Sequence, residues 1–164
     1  MEEKREQIFQ LIELLSHIEL REDPAEYGLS DLNQKLADAS NKRSKASILA
    51  NKIIKKTGDK NRQLCTIKSL YQIKLNRLLS TDKYVSAGES KDERFARAKS
   101  LLKNEEDLTR KLELEVSEWN DLNKCIDNCL STLKTAKEIL SRQLSVIMQQ
   151  ITLGEIDASS FGTK

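Results

Sequence analysis

Residues 35–83 concentrate the side chains whose type and spacing could do chemistry: 13 Lys or Arg against three acids, net +10. The flanking segments run the other way. Residues 1–34 carry three basic and nine acidic side chains, net −6, and residues 84–164 carry 12 and 14, net −2. The whole-chain charge of +2 hides this division. Cations gathered on one face neutralise phosphates and release counterions, which gives affinity for nucleic acid without sequence preference. The candidate contacts are Lys42, Arg43, Lys45, Lys52, Lys55, Lys56, Lys60, Arg62, Lys68, Lys74 and Arg77, with Tyr71 as a platform on which a base could stack. Tyr84 offers a second platform. The competing expectation is a solvated basic face that pairs with the acidic first helix, with a neighbouring subunit or with another acidic partner. A net charge of +10 exceeds what the −6 segment can neutralise, which favours an external polyanion.

Other chemistry is sparse. The chain has no phosphate-binding P-loop, no GxGxxG and no HExxH. Its single histidine, His17, falls on the polar side of the first helix, so no His-based triad or metal cluster can be assembled. Ser86-Ala87-Gly88-Glu89-Ser90 has the outline of a nucleophile elbow but lacks strand context and a base. Cys65 stands alone, and Cys125 and Cys129 lie four apart without a second pair, as expected of reduced, buried thiols. No enzymatic activity, metal or cofactor is expected.

These residues must be positioned by helices. The chain of 164 residues has one Pro, five Gly, 4% aromatics and 33% charged residues, and it shows no sustained alternation of strand-forming side chains. The expected fold is all-α: helical hairpins, elongated, with a long C-terminal helix and oligomerisation through coiled-coil-like seams. Glu2 to Glu22 predicts an amphipathic acidic helix with Ile8, Leu11, Ile12, Leu15 and Ile18 on one face, ended by Pro24. With its linker it makes a first segment, 1–28. A second helix, capped by Ser30 or Asp31, is expected to run to about Thr57 and stop at Gly58. Asp59 would then cap a third helix, with Leu64, Ile67, Tyr71, Leu75 and Leu78 on its inner face. Thr57-Gly58-Asp59 would join the two as an antiparallel hairpin decorated by the cations. The middle of the second helix, Ala39 to Lys45, offers only small and basic side chains. Ser80 to Glu89 reads as a loop.

The stretch Ser90 to Thr152 contains neither Pro nor Gly. It opens with a capping box, Ser90-Lys91-Asp92-Glu93, and Gly154 supplies a left-handed stop. Leu112, Trp119, Ile126, Leu133, Leu140 and Ile147 recur every seventh residue, an apolar seam for partner helices and the expected oligomerisation line. An unbroken helix of this length would reach roughly 90 Å, beyond the ~40 Å of a compact globule of this chain. Either it breaks, or the molecule is elongated, or other chains cover it. The polar run Lys103-Asn104-Glu105-Glu106-Asp107 marks the expected break, although a solvated face would read the same way. Residues 29–152 thus form the main body, and 153–164 a flexible tail. No stretch approaches the ~18–20 apolar residues that span a bilayer. The opening residues lack the basic and apolar runs of a secretory leader. Together these predict a cytoplasmic protein.

In layout the chain resembles the phage recombination mediators of the UvsY type. A Lys-rich segment, Lys42 to Lys83, precedes a polar loop. Then comes a long helix with an embedded Trp followed by a Cys, Trp119-Asn120-Asp121-Leu122-Asn123-Lys124-Cys125, continuing through Leu133-Lys134 and Ser141-Arg142 to Ile147. The likeness covers residues 35–152. The family's DNA-contacting stretch is matched by Ile67-Lys68-Ser69-Leu70-Tyr71, in which Lys68 and Tyr71 carry over while Ser69 or Leu70 stands where the family has a second basic residue. The resemblance implies a ring-forming homo-oligomer in the host cytoplasm. It would bind single-stranded DNA and help a RecA-like recombinase displace single-strand binding protein during homologous recombination. The acidic first helix or the tail would contact those partners. The alternative is a helical adaptor or scaffold without nucleic-acid binding.

Overall fold

The computed structural model describes residues 2–21 and 28–154. The fold is all-α, as expected: α1 (Glu2–Ser16), α2 (Leu29–Thr81), α3 (Lys83–Ser86), α4 (Lys91–Leu101) and α5 (Lys103–Thr152). Among the described residues there is no strand. Pro24 with its linker, and the tail beyond Gly154, lie outside the described residues. The chain divides into two compact units, Met1–Lys52 with Leu122–Lys164, and Ile53–Asp121. Both α2 and α5 contribute to each unit.

In the first unit, α1 buries Ile12 and Leu15 of the expected inner face, while Ile8 is half-buried and Leu11 is 46% exposed. The helix stops at Ser16 rather than Glu22. Carbonyls of the residues that follow it are taken by side chains of other helices. His17 O accepts from Lys42 Nζ at 2.8 Å, Glu19 O from Lys35 Nζ at 3.3 Å and Arg21 O from Gln143 Nε2 at 3.1 Å. All three acceptors lie in the non-helical residues after α1. Residues 17–21 therefore form a strap. Ile18, between the acceptors, packs on the cluster of Leu32, Ala39, Leu140 and Ile147.

The expected joint at Gly58 does not form, and with it falls the antiparallel hairpin. α2 runs unbroken from Leu29 to Thr81, and Gly58 lacks the positive φ of a helix stop. A glycine inside a helix costs about 1 kcal/mol relative to alanine, and neighbouring interactions offset this. The buried Thr57 hydroxyl donates to Ile53 O at 2.9 Å. Asp59 pairs with Arg62 one turn on instead of capping a helix. Lys60 reaches Glu115 of α5 at 2.6 Å.

α2 also carries a heptad line of its own: Leu32, Ala39, Ala46 and Ile53, each at most 1% exposed. The small side chains that make its middle look thin in the sequence are contact points. Helix axes approach at the short end of the 8–10 Å range where contact residues are small. In the first unit, Leu32 and Ala39 of α2 share one cluster with Leu140 and Ile147 of α5.

In the second unit α2 and α5 run antiparallel. Along α2, Lys60, Lys68 and Lys74 pair in turn with Glu115, Glu113 and Glu105, so the α5 partner number falls as the α2 number rises. The loop expected from Ser80 to Glu89 is shorter. α2 takes Ser80 and Thr81, and α3 follows with Asp82 as its N-cap, accepting from Tyr84 N and Val85 N at 2.9 and 3.1 Å. Leu75, Val85, Ala98 and Leu102 form the core of this unit, with Tyr71, Leu78, Leu79 and Phe95 packed on it.

The capping box opens α4. Ser90 Oγ accepts from Glu93 N at 3.1 Å, and the Glu93 carboxylate accepts from Glu89 N at 2.9 Å, one residue earlier than the usual partner. The expected break lies at Leu102, whose backbone leaves helical geometry (φ −106°, ψ 18°). The polar run that signalled it is the first turn of α5, where Glu105 and Glu106 complement the positive end of the helix dipole. Gly154 stops α5 at φ 73°, and its N–H donates to Ile151 O. On the α5 heptad line Leu112, Ile126, Leu133, Leu140 and Ile147 are buried and Trp119 is half-buried, all within the single chain.

Candidate nucleic-acid interface

The basic residues of α2 separate into two groups. The first is engaged. Lys42 points back to the strap, donating to His17 O and pairing with Asp38 at 3.3 Å. Arg62 pairs with Asp59. Lys60, Lys68 and Lys74 are each 2.6 Å from a glutamate of α5. Lys60 and Glu115 are only 20% and 11% exposed, so this pair is part of the helix contact and not of a ligand surface. Glutamates of α5 answer Lys60, Lys68 and Lys74, and Asp38 and Asp59 of α2 itself answer Lys42 and Arg62, in place of the acidic first helix or a neighbouring subunit.

The second group is free. Among the described residues no ion pair or hydrogen bond engages the side chains of Arg43, Lys45, Lys52, Lys55, Lys56 or Arg77, and all six are exposed. Lys45 and Lys52 are seven residues apart, two helical turns, and Lys55 and Lys56 lie one turn beyond Lys52. That spacing sets these four lysines on one side of α2, away from the buried line of Ala39, Ala46 and Ile53.

The aromatic candidates are not open stacking platforms. Tyr71 is half-buried against the Leu75–Val85–Ala98–Leu102 core. Burial, and then the nearby carboxylates of Glu106 and Glu105, hold its hydroxyl above the usual tyrosine range. Tyr84 is exposed, but the Arg97 guanidinium lies 4.9 Å from its ring centroid and also donates to Tyr84 O at 2.9 Å. Of the two positions carried over from the mediator family, Lys68 is paired with Glu113 and Tyr71 is a packing residue. Two further pairings shift acids: the Lys74 hydrogen bond holds Glu105 below its usual range, and the Glu89 N–H, followed by Arg97, does so for Glu93.

The remaining candidates have structural roles. Ser86 Oγ donates to Lys83 O, and Ser90 caps α4, so the elbow-like pentapeptide joins two helices. Cys129 is buried, which pushes its thiol up, while Cys125 is half-buried and Cys65 exposed. Among the described residues no group of three or more His, Cys, Asp or Glu could hold a metal ion. An open groove of about 670 Å³ is lined by Gln10, Glu13, Leu14, Ser16, His17 and Lys42, with the Lys42 ammonium committed to the strap. No described helix is long and apolar enough to cross a membrane. In comparison with known proteins, the chain matches no family model, no curated protein and no solved structure.

Proposed function

We propose that the chain is a non-enzymatic, single-stranded nucleic-acid-binding accessory protein, acting on DNA beside a RecA-like recombinase in homologous recombination. The observation that supports binding is the set of unpaired lysines on one side of α2, Lys45, Lys52, Lys55 and Lys56. Acids of α5 satisfy Lys60, Lys68 and Lys74 farther along the same helix and leave these four without partners. A phosphate backbone laid along α2 would supply the missing charge. The recombinase role rests on the layout shared with the mediator family.

Fluorescence anisotropy of labelled oligo-dT, with duplex of equal length alongside, tests this reading. Four neutralised phosphates give a slope of about −3 in log affinity against log salt for a single strand. K45E/K52E/K55E/K56E should abolish binding with helicity unchanged. Equal binding by that variant, or no wild-type binding at low salt, would remove nucleic acid from the account. A second reading, a helical scaffold whose basic face docks an acidic protein, is favoured by Ile48, which is 59% exposed beside those lysines.

A further inference from the structure

Two exposed helix faces of the first unit carry the same spacing with opposite charge. On α1, Glu6, Phe9 and Glu13 are exposed, and Phe9 lies three residues after one glutamate and four before the next. On α2, Lys45, Ile48 and Lys52 are exposed, and Ile48 lies three residues after one lysine and four before the next. Positions three and four apart share one helix face, so each triplet is an apolar side chain flanked by two like charges. Phe9 is 47% exposed and Ile48 59%. Among the described residues no ion pair engages Glu6, Glu13, Lys45 or Lys52. The adjoining side of α1 is already committed, with Ile12 and Leu15 buried, and α2 turns Ala39 and Ala46 inward.

We infer that the partner of each face is the other face on a second copy of this chain. Laid side by side and parallel, α1 of one copy sets Glu6 on Lys45, Phe9 on Ile48 and Glu13 on Lys52 of the next. The two surfaces differ, so the contact is head-to-tail: one copy keeps a free α2 face and the other a free α1 face, and assembly continues or closes on itself. The apolar pair supplies desolvated area, and the flanking charges set register and reject the mismatched alignments. The α2 line also includes lysines assigned above to phosphate binding, so a polyanion and a second copy compete for it.

Sedimentation velocity at low salt, over a range of protein concentrations, tests this assembly. The wild type should associate, and high salt should weaken the association. E6K/E13K and K45E/K52E each place like charges opposite one another and should be at least about tenfold weaker, a tenfold change being the 1.4 kcal/mol that losing two surface pairs can supply. Mixing the two variants restores opposite charges at the contact and should restore association. Phe9→Ser should weaken it without any charge change. Circular dichroism checks that each variant folds. Association by both reversed variants as strong as the wild type, or no recovery on mixing, would overturn the head-to-tail contact. So would a wild type that stays monomeric at low salt. E6K/E13K leaves all the α2 lysines intact, so it should still bind oligo-dT. Loss of its self-association with binding kept separates this inference from the proposed function.

Discussion

Gly58 shows how a single residue decides between two folds. As a helix stop it would need a left-handed backbone, whereas in α2 it stays helical and a Cβ placed on it would meet open space. Gly58→Ala should therefore stabilise the protein by ~0.5–1 kcal/mol, raising Tm by roughly 2–4 °C for each kcal/mol in a chain of this size. A calorimetric scan that showed a lower Tm would restore the hairpin. Ser90→Ala removes the α4 cap and should cost about 1 kcal/mol in a urea melt. The carboxyls of Glu93 and Glu105 are depressed in the fold by their hydrogen bonds. Each stabilises the fold above the ordinary carboxylate range, and this contribution is lost as pH falls through the lower folded value. Urea midpoints should accordingly drop between about pH 5 and pH 3, and the drop should be smaller in E93Q/E105Q.

At the scale of elements, the contact between α2 and α5 depends on residues of unequal legibility. Leu133, Leu140 and Ile147 announce themselves by heptad spacing and hydrophobicity. Leu133→Ala should cost ~2–5 kcal/mol by transfer and cavity terms, measured by denaturation. Ala39 and Ala46 carry the matching line on α2, yet nothing in their chemistry distinguishes a buried alanine from a surface one. Enlarging Ala46 to Leu should overpack the contact and cost ~1–3 kcal/mol. A neutral effect would show that the helices are not close there. The Lys60–Glu115 pair tests the same contact in the second unit. Removing Lys60 alone takes one cation from a shielded carboxylate, at up to about 3 kcal/mol, the lower end for buried pairs. Replacing both with apolar residues should recover most of it, and a double-mutant cycle separates the two. The exposed pairs Lys68–Glu113 and Lys74–Glu105 should each contribute ~0–1 kcal/mol and weaken with salt.

For the whole molecule, the sequence by itself determined the helical class. One proline, few glycines, the capping box at Ser90, the stop at Gly154 and the seven-residue repeat are local signals, each acting within a turn or two. The interruption before α5 was legible for the same reason. The segment charges were legible too, since charge can be counted without coordinates. Tertiary structure decided which helices pair. α2 stays continuous through Gly58 because its contact with α5 outweighs a local penalty of about 1 kcal/mol. α1 ends at Ser16, and Lys42, Lys35 and Gln143, remote in sequence, bond the carbonyls of the segment that follows it. It also decided the candidate site. Twelve residues were equivalent as a list of cations and an aromatic, and the fold turned Lys60, Lys68 and Lys74 to glutamates and Tyr71 to a core, leaving Lys45, Lys52, Lys55 and Lys56 in solvent. Local propensity can be read residue by residue. Which charge is neutralised depends on partners from another helix, and only the packed chain brings them within hydrogen-bonding distance.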